Sequence, residues 1–394
     1  MKTIFFLIYI YKMGGGMLQI SAYGSQDVYL TGNPQITFFK SVYRRHTNFS
    51  MESFDLNYDG TGNFGQNINC KIERVGDLLT NLHIYIKLPA ASATFTDSGT
   101  DAKNWVNAIG YALLEQIDLE IGGERVDRQY GLWLDIWNEL DDVNNKEWDL
   151  VGKVSNPKGV TNFEHDPDLE YNQTNATEYY VPLRFWFCGR PGLALPLIAL
   201  QHQNINLKIN IRAQNQCVVA AGTASSFTGS ITEFKIYGDY IYLDVDERRK
   251  FASQTHEYLI EQLQKNSKTL EAGKDNEIGI TFNHPCKDII WVFQDSDRNT
   301  LDTSPAPNDY TNVLFKNGND WFNYNGSVNN TNIAGTVNST AIGNHTDPFS
   351  TANLKFNGVN RFSARPPSYF KKYQPLTHYD NIPEKNVYCY SFAV

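Results

Sequence analysis

Runs in which every second residue is apolar recur along most of this chain, and they limit its fold more than any other feature. Asn67–Val75 carries Ile68, Cys70 and Ile72 at alternate positions. Leu82–Leu88 does the same with Leu82, Ile84, Ile86 and Leu88, and Ile205–Ile211 with Ile205, Leu207, Ile209 and Ile211. Leu114–Ile121 is less regular, with Leu114, Ile117, Leu119 and Ile121. Tyr179–Phe187 reads YYVPLRFWF, Lys235–Val245 is apolar on both faces, and Phe49–Tyr58 adds a further strand. Successive side chains of a strand point to opposite faces, so period two is its signature. Short runs this dense, separated by Gly, Pro, Asn and Asp, predict an all-β sandwich or barrel.

One helix interrupts the pattern. Leu132, Trp133, Ile136, Trp137 and Leu140 form an apolar stripe at helical spacing within Tyr130–Leu140. Its two tryptophans offer either a sugar-stacking platform or a cap on a sheet core, and the core is the commoner use. With 394 residues, the chain exceeds what a single core of about 250–300 residues supports, so two domains are expected. The charged run Asp244–Lys250 marks the boundary. Beyond it the strand candidates are His256–Ile260, Glu277–Phe282, Lys287–Gln294, Asn312–Lys316, Ala352–Asn357 and Asn386–Ala393.

Several function classes are disfavoured. A net charge of −9 does not suit phosphate neutralisation, and Arg44–Arg45 and Arg248–Arg249–Lys250 are too short to reverse it, so no direct nucleic-acid binding is expected. Five cysteines, Cys70, Cys188, Cys217, Cys286 and Cys389, include no C-x-x-C pair and read as small core residues in a reducing compartment. The histidines are scattered, and there is no G-x-S-x-G elbow or P-loop. The acidic groups Glu139, Asp141, Asp142 and Asp244, Asp246, Glu247 lack EF-hand order and read as charged surface. No catalytic residue, cofactor or metal is implied, and the chain is not expected to be an enzyme.

Two polar stretches, Gly152–Glu178 and Asp302–Asn353, are too long for ordinary hairpin connections. Six of seven N-x-[ST] sequons fall in them, at Asn172, Asn175, Asn325, Asn329, Asn338 and Asn344, with the seventh at Asn48. The six are candidate glycosylation sites on exposed loops. The first twelve residues, MKTIFFLIYIYK, have the look of a short signal-peptide core, too short to span a membrane, with no A-x-A-like cleavage site after it.

The two halves echo each other faintly. LEIGGERV at Leu119–Val126 parallels KFNGVNRF at Lys355–Phe362, matching Gly122 to Gly358 and Arg125 to Arg361, with an aromatic segment following each. Duplicated domains are the natural reading.

Three segments carry a resemblance. The first is MLQISAYGSQDVYLTGNPQITFFKSVYRRHTNFSMES at 17–53. The second is YYVPLRFWFCGRPGLALPLIALQHQNINLKI at Tyr179–Ile209, and the third is FNGVNRFSARPPSYFKKYQPLTHYDNIPEKNVYCYSFAV at Phe356–Val394. In sequence and order they closely resemble the major capsid proteins of nucleocytoplasmic large DNA viruses, the double jelly-roll family of phycodnaviruses, mimivirus and iridoviruses. The resemblance implies two consecutive jelly rolls, 17–245 with a lead-in arm at 17–35 and 246–394, after an N-terminal extension at 1–16. It implies a homotrimer forming a pseudo-hexagonal capsomer that tiles an icosahedral virion shell, with the two polar stretches as an outer tower. Partners would be neighbouring capsomers and minor capsid proteins, and assembly would occur in the host cytoplasm. Family chains begin near Met13, so residues 1–12 are expected to be an upstream extension, or else an arm contacting the inner membrane. The family also continues past the position of Val394, so the second roll is expected to be incomplete by roughly two strands and the chain by itself a fragment. A carbohydrate-binding jelly-roll module is the alternative reading.

Overall fold

The computed structural model describes residues 2–10, 47–90, 103–143, 145–153, 176–220, 229–271, 273–295, 321–322, 324 and 347–392. β1 (Lys2–Ile10) is followed by β2 (Phe49–Leu56), β3 (Tyr58–Asp59), β4 (Asn67–Lys71), β5 (Leu78–Leu88) and β6 (Lys103–Trp105). The short helix α1 (Ile109–Leu113) leads into the hairpin β7 (Leu114–Ile121) and β8 (Glu124–Gln129), then α2 (Gly131–Asp141) and α3 (Trp148–Val151). β9 (Thr177–Pro182), β10 (Leu195–Pro196), β11 (Ile205–Ile211), β12 (Val218–Ala220) and β13 (Glu233–Leu243) complete the first block. The second block comprises α4 (Val245–Ser253), β14 (Gln262–Leu270), β15 (Asp288–Asp295), the hairpin β16 (Lys355–Phe356) and β17 (Val359–Asn360), α5 (Gln374–His378) and β18 (Tyr388–Ser391).

The first block is a two-sheet sandwich. One sheet runs β10-β5-β13-β2 with β9 also paired to β5, and the other runs β3-β4-β11-β7-β8. All pairings are antiparallel. The alternating residues Ile205, Leu207, Ile209 and Ile211 meet Leu82, Ile84, Ile86 and Leu88 in one buried cluster. Bulges explain the irregular runs. The β11–β7 register shifts between Asn210 and Ile211, which lets Leu114 and Ile117 both face inward. A shift at Asp239/Tyr240 lets both Leu79 and Leu82 do so. The run at Tyr179–Phe187 stops as a strand at Pro182, where a ladder donor is lost. Phe185, Trp186 and Phe187 stay in the core from the turn beyond.

α2 is the predicted helix. Trp133 is fully buried and Trp137 half-buried, their rings 5.4 Å apart, so the pair caps the core and presents no sugar platform. Gly131 permits the close approach, because a Cβ there would lie 2.0 Å from the Tyr111 carbonyl oxygen. The charged run at the boundary is itself a helix, α4. Asp244 caps it, accepting from the Val245 N–H at 2.7 Å, and Asp246 and Glu247 sit in its first turn.

The second block is built on a four-stranded antiparallel sheet, β14-β1-β15-β18. The segment read as an extension outside both rolls is thus an inner strand of the second block's sheet. Its run of β-branched and aromatic residues suits a strand paired on both edges. On one face of this sheet, Ile289, Trp291 and Phe293 pack with Phe370 and Tyr388. On the other, Ile290, Val292, Val387 and Cys389 join the first block's cluster. Two expected strands are absent as ladders. His256–Ile260 enters no ladder among the described residues, and β14 begins at Gln262. Ile278, Ile280 and Phe282 pack against the second cluster without entering a sheet, so their alternation reports burial and not pairing. Asn312–Lys316 lies outside the described residues.

The echo between the halves falls on two hairpins of the same kind. Gly122 and Gly123 link β7 to β8 with φ of 65° and 89°, and Asn357 and Gly358 link β16 to β17 with φ of 49° and 81°. Two consecutive positive φ values define the two-residue turn favoured by strand twist. The turns superpose Gly123 on Gly358, one residue from the match read in sequence, so Arg125 corresponds to Asn360. α2 follows the first hairpin, and a π turn (Tyr369–Tyr373) running into α5 follows the second.

Candidate functional site at the junction of the two blocks

The densest polar chemistry of the described residues lies between the blocks, centred on α2. Asp135 and Glu139 stand one turn apart on its buried side, 0% and 4% exposed. Lys385, from the second block, reaches Asp135 at 2.8 and 2.9 Å. Lys153 lies 2.8 Å from Glu139 and 3.6 Å from Asp135, and donates to Asn138 at 2.7 Å. The Tyr324 hydroxyl donates to Asp135 at 2.8 Å. Burial opposes the Asp135 charge, but the Lys385 and Lys153 ammoniums outweigh it and hold the carboxyl below its ordinary value. Burial likewise opposes the Lys153 charge, and Asp135 and Glu139 outweigh it in turn. Two acids and two lysines neutralise one another away from water.

The backbone reinforces this contact. The Asn381 N–H donates to the Leu140 carbonyl at 2.9 Å, and its side-chain amide donates to the Glu139 and Asp142 carbonyls. The last turn of α2 leaves carbonyls without helical partners, and the second block satisfies them. The Glu384 N–H donates to Glu139 at 3.1 Å. Farther along, buried Glu261 accepts from Arg190 at 3.3 Å and Lys287 at 3.5 Å. The Leu263 N–H donates to Asp127 at 3.0 Å, and Gln262 donates to the Val126 carbonyl at 2.6 Å, which holds β14 against β8. Burial pushes the Asp127 carboxyl up to about 7 and the Asp288 carboxyl up to about 6.

An open cleft of about 410 Å³ runs along this junction, lined by residues that include Trp137, Asp141, Arg190, Asp288, His378 and Asp380. Of its charged groups, Arg190 meets Glu261 across the junction, and Asp141 lies 3.7 Å from Arg184 within the first block. The site holds two blocks together.

Glycosylation candidates Asn172, Asn175, Asn325, Asn329, Asn338 and Asn344 lie outside the described residues, whereas Asn48 is exposed just before β2. Arg44–Arg45 is also outside them. Arg248 makes a bidentate pair with Asp77 at 2.9 and 3.0 Å, so this basic cluster is tied to the fold. Burial pushes the Cys70, Cys188, Cys217 and Cys286 thiols up to about 12, as suits small core residues. Glu139 and Asp142, read as charged surface, are buried and engaged. The clue was present, since acids at i and i+4 on α2 sit beside the core residues Ile136 and Leu140. Their lysine partners lie far off in sequence and carried no signal. The stretch Asp302–Asn353 is not uniformly exposed either. Phe322 and Tyr324 are buried, and the Trp321 indole donates to the Gln216 carbonyl at 2.8 Å while stacking on Arg212 at 3.9 Å.

Two β blocks locked by a buried ion network, with charges spent on cohesion, define a structural building block. Comparison with known proteins identifies which. Residues 37–244 match the family model of the major capsid protein N-terminus, and residues 247–394 that of the large eukaryotic DNA virus major capsid protein. The major capsid protein of Phaeocystis pouchetii virus is 35% identical over 464 residues, covering 97% of this chain and 88% of its own. That of Paramecium bursaria Chlorella virus 1 is 34% identical over 398 residues, covering 97% and 82%. The quasi-atomic model of the PBCV-1 virus capsid superposes with a TM-score of 0.65 at 28% identity, covering 91% of this chain and 81% of that one. The chain belongs to the major capsid proteins of large eukaryotic DNA viruses, with the double jelly-roll fold of that family. Its role is structural, as a component of the virion, and not enzymatic.

Proposed function

We propose that the chain acts as a homotrimer, a capsomer of pseudo-hexagonal outline that meets neighbouring capsomers and minor capsid proteins in an icosahedral shell assembled in the host cytoplasm. The observation that carries this is the repetition within one chain: two β blocks, each bearing a two-residue hairpin followed by a helical segment, fixed side by side by a buried junction. Three such chains present six similar units around one axis. A rigid junction is what such an arrangement needs, because any hinge between blocks would blur the outline. In this reading 17–245 and 246–394 are the two rolls, the second completed by β1, and the stretches Gly152–Glu178 and Asp302–Asn353, apart from the anchored Lys153, Trp321, Phe322 and Tyr324, extend from one end of the capsomer, where the six asparagines would accept glycans. Extensive contacts of about 2,000–5,000 Å² are usual for obligate assemblies. Native mass spectrometry and negative-stain microscopy of the purified chain test the proposal. Trimers of hexagonal outline are expected. A stable monomer that binds glycans on an array overturns it.

A further inference from the structure

The second block's sheet contains a strand from the opposite end of the chain. β1 pairs antiparallel with β14 along its whole length, Lys2 opposite Leu270 through Ile10 opposite Gln262. It pairs antiparallel with β15 from Lys2 opposite Asp295 to Tyr9 opposite Asp288. On its far edge β15 has β18 opposite Asp288–Trp291 alone, so Val292, Phe293 and Gln294 find their cross-strand partners in β1. β14 lies at the end of the sheet order with β1 as its single neighbour. Among the described strands β1 is therefore what joins β14 to the sheet, while Gln264 and Lys268 bond the Asn283 and Glu277 carbonyls beside it. β15 is buried on both faces, and leaving such a strand with an open edge creates a template for pairing with other chains.

We propose that β14 and β15 form a strand-acceptor site for one extended apolar segment, that the chain's own residues 2–10 fill it in cis, and that this insertion closes the second block. The sequence KTIFFLIYI fits the slot, since β-branched and aromatic residues favour inner strands and neither Pro nor Gly interrupts the ladder. The 36 residues at 11–46 between β1 and the next described segment would span about 120 Å if extended. That contour does not by itself restrict the donor to the same chain, and the test separates insertion in cis from donation by a neighbouring copy.

Thr3 and Thr269 are Cα partners across the β1–β14 ladder. Opposed residues of antiparallel strands stand about 4.5–5.5 Å apart, within disulfide reach. In the full chain carrying Thr3→Cys and Thr269→Cys, oxidation is expected to give an intrachain disulfide between positions 3 and 269, seen by peptide mapping and by monomer migration on a non-reducing gel. An interchain bond overturns insertion in cis, and no bond between the two positions overturns the pairing itself. In a second variant, a protease site replaces Gly14–Gly16 in the otherwise full chain and is cut after folding. The N-terminal fragment is expected to co-elute with the body in native gel filtration and to separate in denaturant. Separation under native conditions overturns the acceptor site.

Discussion

The two blocks bury similar kinds of side chain by different means. The first draws every strand of its two sheets from Phe49–Leu243, and its core is continuous between them. The second takes an inner strand from residues 2–10, shares one face of its sheet with the first block's core, and keeps a small aromatic cluster on the other. The first block closes on itself, whereas the second is completed by what it touches. Stability in a two-block chain therefore need not be divided equally, and the junction decides how much of it is held in common.

The largest effect should come from Asp135→Ala. It leaves the Lys153 and Lys385 ammoniums facing Glu139 alone, and breaking a buried pair costs about 3–5 kcal/mol. Because Asp135 ties both blocks, denaturant unfolding followed by far-UV circular dichroism and by tryptophan fluorescence should shift together. A shift in one signal alone would break the idea of a shared junction. Trp291→Ala should cost a comparable or slightly smaller amount, about 3–5 kcal/mol for an aromatic lost from a core. It stacks on Tyr388 at 6.0 Å and meets Phe370 at 5.1 Å, so the second block should unfold before the first. Limited proteolysis at moderate denaturant should then release an intact fragment near 47–253.

Next in size is a pH effect. Burial holds Asp127 at about 7 and Asp288 at about 6, above the unfolded carboxylate range. The folded chain keeps protons on these two groups that the unfolded chain has released, so their contribution to stability is full below about pH 4 and is lost as pH rises through 6–7, by on the order of a few kcal/mol. Exposed His378, whose folded value is lowered, acts in the opposite sense, so the comparison to make is with Asp127→Asn. That variant should lose less stability between pH 5 and pH 8 than the parent chain in guanidinium melts. An equal or steeper loss counts against the carboxyl.

The smallest effect tests the hairpins. Gly123 and Gly358 each have positive φ and open space around them. Gly123→Ala and Gly358→Ala should each cost about 1–2 kcal/mol from backbone strain alone. Unequal costs in thermal melts would show that the two turns are not equivalent.

Much of the first block was legible in its alternating runs, because a strand with one buried face writes its pairing surface into the sequence. The bulges at Asn210/Ile211 and Asp239/Tyr240 were visible only as irregular spacing. The partners of Lys2–Ile10 were not legible at all: period two tells that a segment is a strand, not which distant edge it will meet. The junction was half-hidden for the same reason. Asp135 and Glu139 stood in a recognisable helix, while Lys153, Tyr324 and Lys385 came from polar or distant segments whose composition gave no hint of burial. Charge alone did not reveal the role of Asp244–Lys250, since a capped helix and a solvated linker share the same residues.

The anchoring of Trp321 and Tyr324 has a consequence for how such a chain can change over generations. It divides one long polar stretch into two tethered spans, 25 residues from Asp295 to Trp321 and 22 from Tyr324 to Asp347. Doubling the length of a tethered span adds only about 0.6 kcal/mol of closure cost. Either span can therefore lengthen, shorten or drift in composition independently of the other, with the ring on Arg212 and the hydroxyl on Asp135 as fixed posts between them.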